Sequence, residues 1–375
     1  MDAGATMKTA SRLILTAALA VSVTGLLFSK TPAPKGPLKG TVERIKVHGK
    51  SLEGNLEGDS PDRDVIVYLP PSYQTNKSQR YPVVYFLHGY GIGADAYWNM
   101  MKVQEAADGD ITSGTAHEMI LVHPDANTIY NGSMYSNSPT TGDWEAYISD
   151  DLVSYIDSHY RTLSDRMSRG LAGHSMGGYG TVRIGMKHPE VFSSLYIMSA
   201  CCLLNNPGAQ GQGRAQDKDK AKAPAPAAKA GDGKGKNNGK GNGFANVNFA
   251  EAAAWSPNPK NPPQFFDLPT KDGQPVPAIA AKWVANSPLA MLDQYVPNLK
   301  KYHAIMGDCG LQDGLVGSNQ ELDQAFSRFG IEHNFETYEG THTSKVGERF
   351  EFKVLPFFSN NLSFTKTKTL AKVKN

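Results

Sequence analysis

Cysteine is scarce in this 375-residue chain, which contains only three. So few cysteines exclude a small disulfide-stapled scaffold and allow at most one intramolecular bridge. The chain also lacks an excess of charge of either sign, because 38 basic and 36 acidic residues give a formal net charge of +2. This balance argues against nucleic acid as the main partner. With 40% hydrophobic and 20% charged residues, the composition is that of a globular protein with a large core.

Metal-binding motifs are also missing. The chain has no paired Cys-x-x-Cys, and His117-Glu118 lacks the second histidine of a zinc-peptidase helix. We therefore expect no metal and no cofactor. Cys201 and Cys202 end one predicted strand and Cys309 follows the next. A disulfide across the strand ends and buried free thiols both stay open.

One long apolar run occurs, over residues 13–28, with Lys8 and Arg12 before it. Basic residues, an apolar stretch and a Pro/Gly-rich exit predict a signal peptide or N-terminal anchor over residues 1–30 and a linker over residues 31–40. No clean Ala-x-Ala cleavage site follows the run, so a retained membrane tether stays open, and a buried helix is the remaining interpretation. We expect an exported protein, periplasmic or extracellular.

Periodic apolar runs over residues 41–360 indicate one α/β domain. Residues 41–48 and 64–69 alternate apolar and polar side chains, as antiparallel edge strands do. Predicted helices further along include residues 144–159 and 318–329. Because strands and helices alternate, we predict a mostly parallel central sheet flanked by helices. The continuous apolar runs typical of its buried strands are residues 81–87, 119–122, 170–172, 194–198 and 302–306.

Residues 205–243 break this pattern. They are almost entirely Gly, Ala, Lys, Pro, Asn, Gln and Asp, so they lack the apolar surface that a folded segment buries. We predict a disordered insertion that acts as a solvated tether, with a contact to an anionic surface as the alternative. Residues 361–375 form a basic C-terminal tail.

A Pro- and Trp-rich stretch after the insertion predicts a cap-like segment over residues 244–290, before the next strand. Its aromatic side chains suit either an apolar substrate pocket or the packing of the cap itself. The candidate substrate-binding residues are Trp144, Trp255, Phe265 and Phe266.

The sequence GHSMGG at residues 173–178 carries the first catalytic signal. It lies between the predicted strand at 170–172 and a helical stretch at 179–187, which is the strand-turn-helix setting of a nucleophile elbow. Glycines two positions before and after the serine permit the tight turn. Ser175 is therefore the predicted nucleophile, and a Gly-rich turn without chemistry is the alternative.

A serine nucleophile needs a base and an acid that orients the base, and this fold supplies them in the order Ser, Asp/Glu, His. His342 follows a strand-like run at residues 334–338 and is the predicted base. Asp308 and Asp313 both follow the predicted strand 302–306, and their spacing does not choose between them.

Acyl transfer also needs backbone N–H donors for the oxyanion of its intermediate. Residues 87–93, with the sequence LHGYGIG, leave the first central strand as a Gly-rich loop, where such enzymes place one donor. We assign the two donors to the N–H groups of Tyr90 and Met176.

Four motifs together resemble the putative-esterase family of α/β hydrolases. That family includes feruloyl and acetyl-xylan esterases, S-formylglutathione hydrolases (esterase D), enterochelin esterases and the antigen 85 mycolyltransferases. The resemblance covers residues 42–359 apart from the insertion, and it implies an α/β-hydrolase fold. The motifs are YLPPSY at 68–73, YPVVYFLHG at 81–89, GHSMGG at 173–178 and GTH at 340–342.

The resemblance also bears on the acid and the oxyanion donor. Feruloyl-esterase-like relatives carry the acid in a Cys-Gly-x-x-Asp turn, and CGLQD at 309–313 resembles it. The resemblance therefore favours Asp313 over Asp308. By the same resemblance, the residue after His-Gly, which is Tyr90, supplies one oxyanion donor.

Together these features predict an exported serine carboxylesterase that cleaves feruloyl, acetyl or other small acyl esters through an acyl-enzyme. The expected partner is a small-molecule or polysaccharide-linked ester, and not nucleic acid. An acyltransferase with the same triad is one alternative, and a catalytically silent carbohydrate- or cell-surface-binding protein is another. The acyl group, the alcohol and the oligomeric state stay open.

Overall fold

The computed structural model describes residues 38–204 and 246–365. The predicted N-terminal segment (1–30), the insertion (205–243) and most of the C-terminal tail lie outside the described residues, so their assignments stay predictions. Within the described ranges, no helix is both long enough and apolar enough to cross a bilayer.

Strands and helices alternate through the described residues. The strands are β1 Thr41–His48, β2 Asp62–Leu69, β3 Val83–Leu87, β4 Ile120–Pro124, β5 Asn137–Ser138, β6 Gly142–Asp143, β7 Arg169–His174, β8 Ser194–Met198, β9 Thr270–Lys271, β10 Gln274–Pro275, β11 Ala304–Gly310 and β12 Asn334–Tyr338. The α-helices are α1 Ser72–Thr75, α2 Ala94–Met101, α3 Val103–Ser113, α4 Trp144–Ala146, α5 Leu152–His159, α6 Met176–Lys187, α7 Val247–Trp255, α8 Pro277–Ala285, α9 Pro288–Leu299, α10 Val316–Arg328, α11 Val346–Arg349 and α12 Leu355–Asn361. Shorter helical turns occur at Lys50–Leu52, Tyr147–Asp151, Arg166–Ser168 and Phe350–Val354.

Eight strands form one sheet in the order β1, β2, β4, β3, β7, β8, β11, β12. The pairs β1–β2 and β2–β4 are antiparallel, and the other neighbours in the sheet are parallel. The predicted fold class, a mostly parallel sheet flanked by helices, is confirmed. Because parallel strands end at the same edge, the loops after β3, β7, β8, β11 and β12 meet there.

Central strands are apolar on both faces because helices cover both sides of the sheet. In β3, Val83, Tyr85 and Leu87 pack into one apolar layer, while Val84 and Phe86 pack into the other. Successive side chains of a strand point to opposite faces. The continuous apolar runs of the sequence are thereby explained.

Strand β11 differs from its prediction at both ends. We predicted residues 302–306, whereas the strand runs from Ala304 to Gly310. Asp308 stays inside the strand because its backbone pairs with β8 and β12 and its carboxylate meets the Arg349 guanidinium. The prediction ended the strand where the apolar run ends, which is four residues too early. Placing Asp308 in the following turn was therefore wrong.

Trp144 begins the helical stretch predicted over residues 144–159, which contains a π-helical turn at Tyr147–Asp151. Its ring is 1% exposed and lies 4.9 Å from the Arg63 guanidinium, and its indole N–H donates to the Thr141 carbonyl (2.8 Å). Trp144 therefore packs in the core and does not line an open pocket, contrary to its assignment as a candidate substrate-binding residue.

Residues 246–290 pack against the β5–β6 hairpin and helix α6. The Ser138 hydroxyl donates to the Ala253 carbonyl at 2.6 Å, and the Tyr179 hydroxyl donates to the Asn286 carbonyl at 2.9 Å. These bonds fix the predicted cap-like segment beside the helix that follows Ser175.

A buried ion pair joins α4 to α6. Glu145 Oε2 accepts from Arg183 Nε (2.9 Å) and Lys187 Nζ (3.0 Å), and the Glu145 and Arg183 side chains are 6% and 7% exposed. Burial raises the pKa of Glu145, but a hydrogen bond to His188 and the charges of Arg183 and Lys187 outweigh it and lower the pKa to about 2. The carboxylate is therefore ionised wherever the protein is folded near neutral pH.

We predict that Glu145→Gln lowers the free energy of unfolding by about 3 kcal/mol near neutral pH, because a pKa depressed from 4.5 to about 2 is worth about that much. A depressed acid stabilises the fold above its unfolded pKa and loses that effect as the pH falls toward its folded pKa. The deficit of the variant should therefore shrink by about half at pH 3. Urea unfolding at pH 7 and pH 3 measures it, with the exposed Glu321→Gln as control. An equal deficit at both pH values would contradict the ion-pair account.

Candidate active site

Ser175 joins β7 to α6 in a backbone conformation that few non-glycine residues adopt, with φ 59° and ψ −114°. Close packing enforces this turn, because a Cβ on Gly173 would collide with the Gly177 carbonyl and a Cβ on Gly177 with the Leu87 carbonyl. The Ser175 N–H donates to the Met198 carbonyl on the neighbouring strand (3.0 Å). The turn has the geometry of a nucleophile elbow, which holds the serine side chain at the sheet edge.

The structure brings Ser175, His342 and Asp313 together. His342 Nε2 lies 2.9 Å from Ser175 Oγ, and His342 Nδ1 lies 2.7 Å from Asp313 Oδ2. A carboxylate only accepts, so Nδ1 carries the proton and Nε2 is left to accept from the serine hydroxyl. The imidazole is thereby held in the tautomer that a general base for Ser175 requires.

The environment of Asp313 keeps its carboxylate charged. Its side chain is 2% exposed, and burial alone would raise its pKa. Hydrogen bonds from His342 and from the Leu315 N–H outweigh burial and hold the pKa below the ordinary value of 3.8. A charged acid beside Nδ1 also favours the imidazolium that forms when His342 takes a proton.

Asp308, the other candidate acid, lies in a different buried network. Its Oδ2 accepts from Arg349 Nη2 (2.9 Å) and from the Tyr196 hydroxyl (2.8 Å), and the Arg349 guanidinium also contacts Glu336. This network joins β11, β8, β12 and α11. Asp308 is therefore placed where it stabilises the sheet, and it does not contact His342.

His88 orients the loop that carries the first expected oxyanion donor. His88 Nε2 accepts the Ala126 N–H (2.8 Å), so Nδ1 carries the proton and donates to the Gly89 carbonyl (2.8 Å). Burial lowers the pKa of His88, which keeps the ring neutral. Because N–H and C=O point in opposite directions across a trans peptide, the Tyr90 N–H points away from His88. Met176, the second expected donor, begins α6, where N–H groups have no intrahelical acceptor.

A second histidine supports the backbone of His342. His174 Nε2 lies 2.8 Å from the His342 carbonyl oxygen and Nδ1 lies 2.9 Å from the Tyr97 hydroxyl. Burial, and then His342 nearby, lower the pKa of His174 to about 3, so the ring is neutral. Its Nε2–H must donate to the carbonyl, and Nδ1 must accept from Tyr97. The loop that presents His342 is thus anchored to the residue before Ser175.

The structure does not bring two of the cap aromatics to an open surface. Trp255 is 2% exposed and packs against Tyr179, and Phe266 is 3% exposed and packs against Tyr130. Phe265 is half-buried. Trp255 and Phe266 therefore serve the packing of the cap, which was the alternative to a substrate pocket.

Three residues that hold the loops of the candidate site were not predicted from the sequence. His88 and His174 adjoin the glycine loop and Ser175, so their motifs carried a signal. Tyr97 carried none, because it lies 77 residues before its partner His174. Within residues 38–204 and 246–365, no three His, Cys, Asp or Glu side chains cluster as metal ligands.

The sequence is similar to that of known proteins. The model of the family described as "Putative esterase" matches residues 60–351. An endo-1,4-beta-xylanase/feruloyl esterase of Xylanibacter ruminicola is 32% identical over 138 residues, which are 36% of this chain and 19% of that protein. An esterase of Mycobacterium tuberculosis is 30% identical over 135 residues, 35% of this chain and 27% of that protein. The chain thus matches only about a fifth to a quarter of the length of these relatives.

Solved structures share the fold. A ferulic acid esterase superposes with a TM-score of 0.61 at 22% identity, over 87% of this chain and 100% of that chain. An S-formylglutathione hydrolase from Staphylococcus aureus superposes with a TM-score of 0.57 at 17% identity, over 86% of this chain and 99% of that chain. The fold and the turn at Ser175 define an α/β hydrolase. Since the family match covers well over half of the sequence, the chain belongs to the esterase family.

We predict opposite effects for the two aspartates. Asp313→Asn should lower kcat for p-nitrophenyl acetate by a factor on the order of 10⁴, because an amide favours the wrong tautomer of His342. Asp308→Asn should leave kcat within about threefold but lower the free energy of unfolding by about 2 kcal/mol, because it removes one of the two carboxylates that pair with the buried Arg349 and leaves only Glu336.

Steady-state kinetics and urea unfolding of both variants measure these effects. The account of the two networks would be overturned if Asp308→Asn lost turnover while remaining folded and Asp313→Asn retained it.

Proposed function

We propose that this protein is an exported serine carboxylesterase that hydrolyses small acyl esters through an acyl-enzyme. The observation that carries the proposal is the series of hydrogen bonds from Asp313 through His342 to Ser175. Membership of the esterase family supports an ester bond as the target.

In the proposed acylation step, Ser175 Oγ attacks the carbonyl carbon of the ester while His342 Nε2 accepts its proton. Asp313 stabilises the imidazolium through Nδ1–H. The N–H groups of Tyr90 and Met176 stabilise the oxyanion of the tetrahedral intermediate. His342 then returns the proton to the leaving alcohol, and the acyl group stays on Ser175.

Deacylation uses the same groups in reverse. His342 Nε2 takes a proton from water as the water oxygen attacks the acyl carbon, and it returns that proton to Ser175 Oγ. The products are one alcohol and one carboxylic acid for each ester and water consumed. The proposed chemistry uses side chains and backbone N–H groups of the chain together with the ester and water.

Feruloyl and acetyl esters are the proposed substrates. The Xylanibacter ruminicola relative bears feruloyl esterase in its name, and the superposed structures include a ferulic acid esterase. Export is proposed from the sequence of residues 1–30, where basic residues precede an apolar run.

We predict that the full chain hydrolyses p-nitrophenyl acetate and methyl ferulate. Ser175→Ala and His342→Ala should each lower kcat/KM by a factor on the order of 10⁴ or more, because each removes a group that acts only with the other. Release of p-nitrophenol and of ferulate measures both reactions.

Matched controls lie on helix α5, where Ser158 and His159 are exposed and form a hydrogen bond with each other (3.0 Å). Ser158→Ala and His159→Ala should keep wild-type kcat/KM. Folded wild-type protein that hydrolyses neither ester, or turnover that survives Ser175→Ala, would refute the proposed function.

A further inference from the structure

Cys201 and Cys202 lie beside the candidate nucleophile, where the chain leaves β8. The Cys201 N–H donates to the Ser175 carbonyl oxygen (3.1 Å). The same oxygen accepts from the Tyr179 N–H in the first turn of α6 (3.0 Å). The peptide of Ser175 is therefore tied directly to the first of the two cysteines.

The two sulfur atoms face each other. Cys202 has a φ of 58°, in the left-handed region that a residue with a side chain adopts only when its surroundings enforce it. In this conformation its Sγ lies 2.7 Å from Cys201 Sγ, closer than sulfur atoms approach in ordinary packing. Both residues are half-buried, so each keeps some surface in contact with solvent.

Cys309 does not share this environment. The three cysteines are all free thiols, so of the two possibilities left open by the sequence the structure has free thiols and not a disulfide across the strand ends. Cys309 is fully buried, and its sulfur lies 3.5 Å from the Ser199 hydroxyl. Burial raises the pKa of the Cys309 thiol to about 12, which makes it a poor nucleophile. The chain thus contains an adjacent pair of thiols and a buried third one.

We propose that Cys201 and Cys202 are a redox-sensitive vicinal dithiol, which a low-molecular-weight disulfide such as oxidised glutathione closes to a vicinal disulfide that slows turnover at Ser175. This modification goes beyond the proposed function. Two observations support it: the two sulfur atoms face each other, and the Cys201 N–H donates to the Ser175 carbonyl oxygen.

The proposed chemistry consists of two thiol–disulfide exchange steps. The hydrogen bond to Cys201, and then burial, raise the pKa of the Cys202 thiol, so Cys202 stays protonated. In the proposed first step, Cys201 gives its proton to solvent and its sulfur attacks oxidised glutathione, whose S–S bond breaks, and one glutathione leaves. Cys202 then gives its proton to solvent and attacks Cys201 Sγ, and the second glutathione leaves. Two cysteine thiols are oxidised to one disulfide, and one glutathione disulfide is reduced to two thiols.

A disulfide between adjacent residues is easily reversed. Adjacent Cα atoms are about 3.8 Å apart, whereas ordinary disulfides join Cα atoms about 4.4–6.8 Å apart. The small ring is therefore strained and more easily reduced than a structural bridge. The ring contains the Cys201–Cys202 peptide, and we expect its closure to displace Cys201, whose N–H holds the Ser175 carbonyl.

The test treats the full-length protein with oxidised glutathione and then with dithiothreitol. We expect the intact mass to fall by two hydrogen atoms and to recover on reduction, and peptide mapping to place the bond between Cys201 and Cys202. We expect kcat/KM for p-nitrophenyl acetate to fall reversibly by a factor on the order of ten, because displacements of about 1 Å have effects of this size or larger.

Three variants separate the pair from the third thiol. Cys202→Ser should accumulate one glutathione on Cys201 without closing the disulfide, Cys201→Ser should likewise not close it, and Cys309→Ser should behave as wild type does. An unchanged wild-type mass, a bond to Cys309, or unchanged turnover of the closed form would overturn the proposal. A protein that closes the disulfide but hydrolyses no ester would instead contradict the proposed function and support the disulfide.

Discussion

The backbone conformation of Ser175 is the constraint on which the rest of the site depends. It persists because β7, α6 and β3 approach so closely at Gly173 and Gly177 that neither position has room for a Cβ. The turn fixes the serine at the carboxyl edge of the sheet, where the loops after β11 and β12 also end. His342 and Asp313 can therefore reach Ser175 only while this packing is intact.

Hydrogen bonds around the serine assign each proton to one atom. The Tyr97 hydroxyl donates to His174, His174 donates to the His342 carbonyl, and the His342 Nδ1–H donates to Asp313. Every donor has an acceptor, which fixes one tautomer for each ring, and burial keeps the His174 ring neutral. The backbone and the imidazole of His342 are both held before a substrate arrives. Such prior positioning is what electrostatic stabilisation of a transition state requires.

Local sequence patterns predicted the strands and the nucleophile elbow. The features that they did not predict depend on contacts between residues far apart in the sequence. Apolar runs located β3 and β8, and the motif around Ser175 located the elbow, because these signals lie within a few residues. The place of Asp308 inside β11 depends on Arg349, which lies 41 residues further along the chain. The burial of Trp255 depends likewise on the docking of the cap against Tyr179. Neither contact can be predicted from the residues that lie next to Asp308 or Trp255 in the sequence.

Hydrolysis at this site requires Ser175 to be an activated nucleophile. The most direct test of this requirement is to label the full-length protein with a fluorophosphonate, which reacts with activated serines, and to locate the label by intact mass and peptide mapping. We expect one label per chain, on Ser175, and little labelling of folded His342→Ala. A folded wild-type protein that takes no label, or takes it on another serine, would contradict the account.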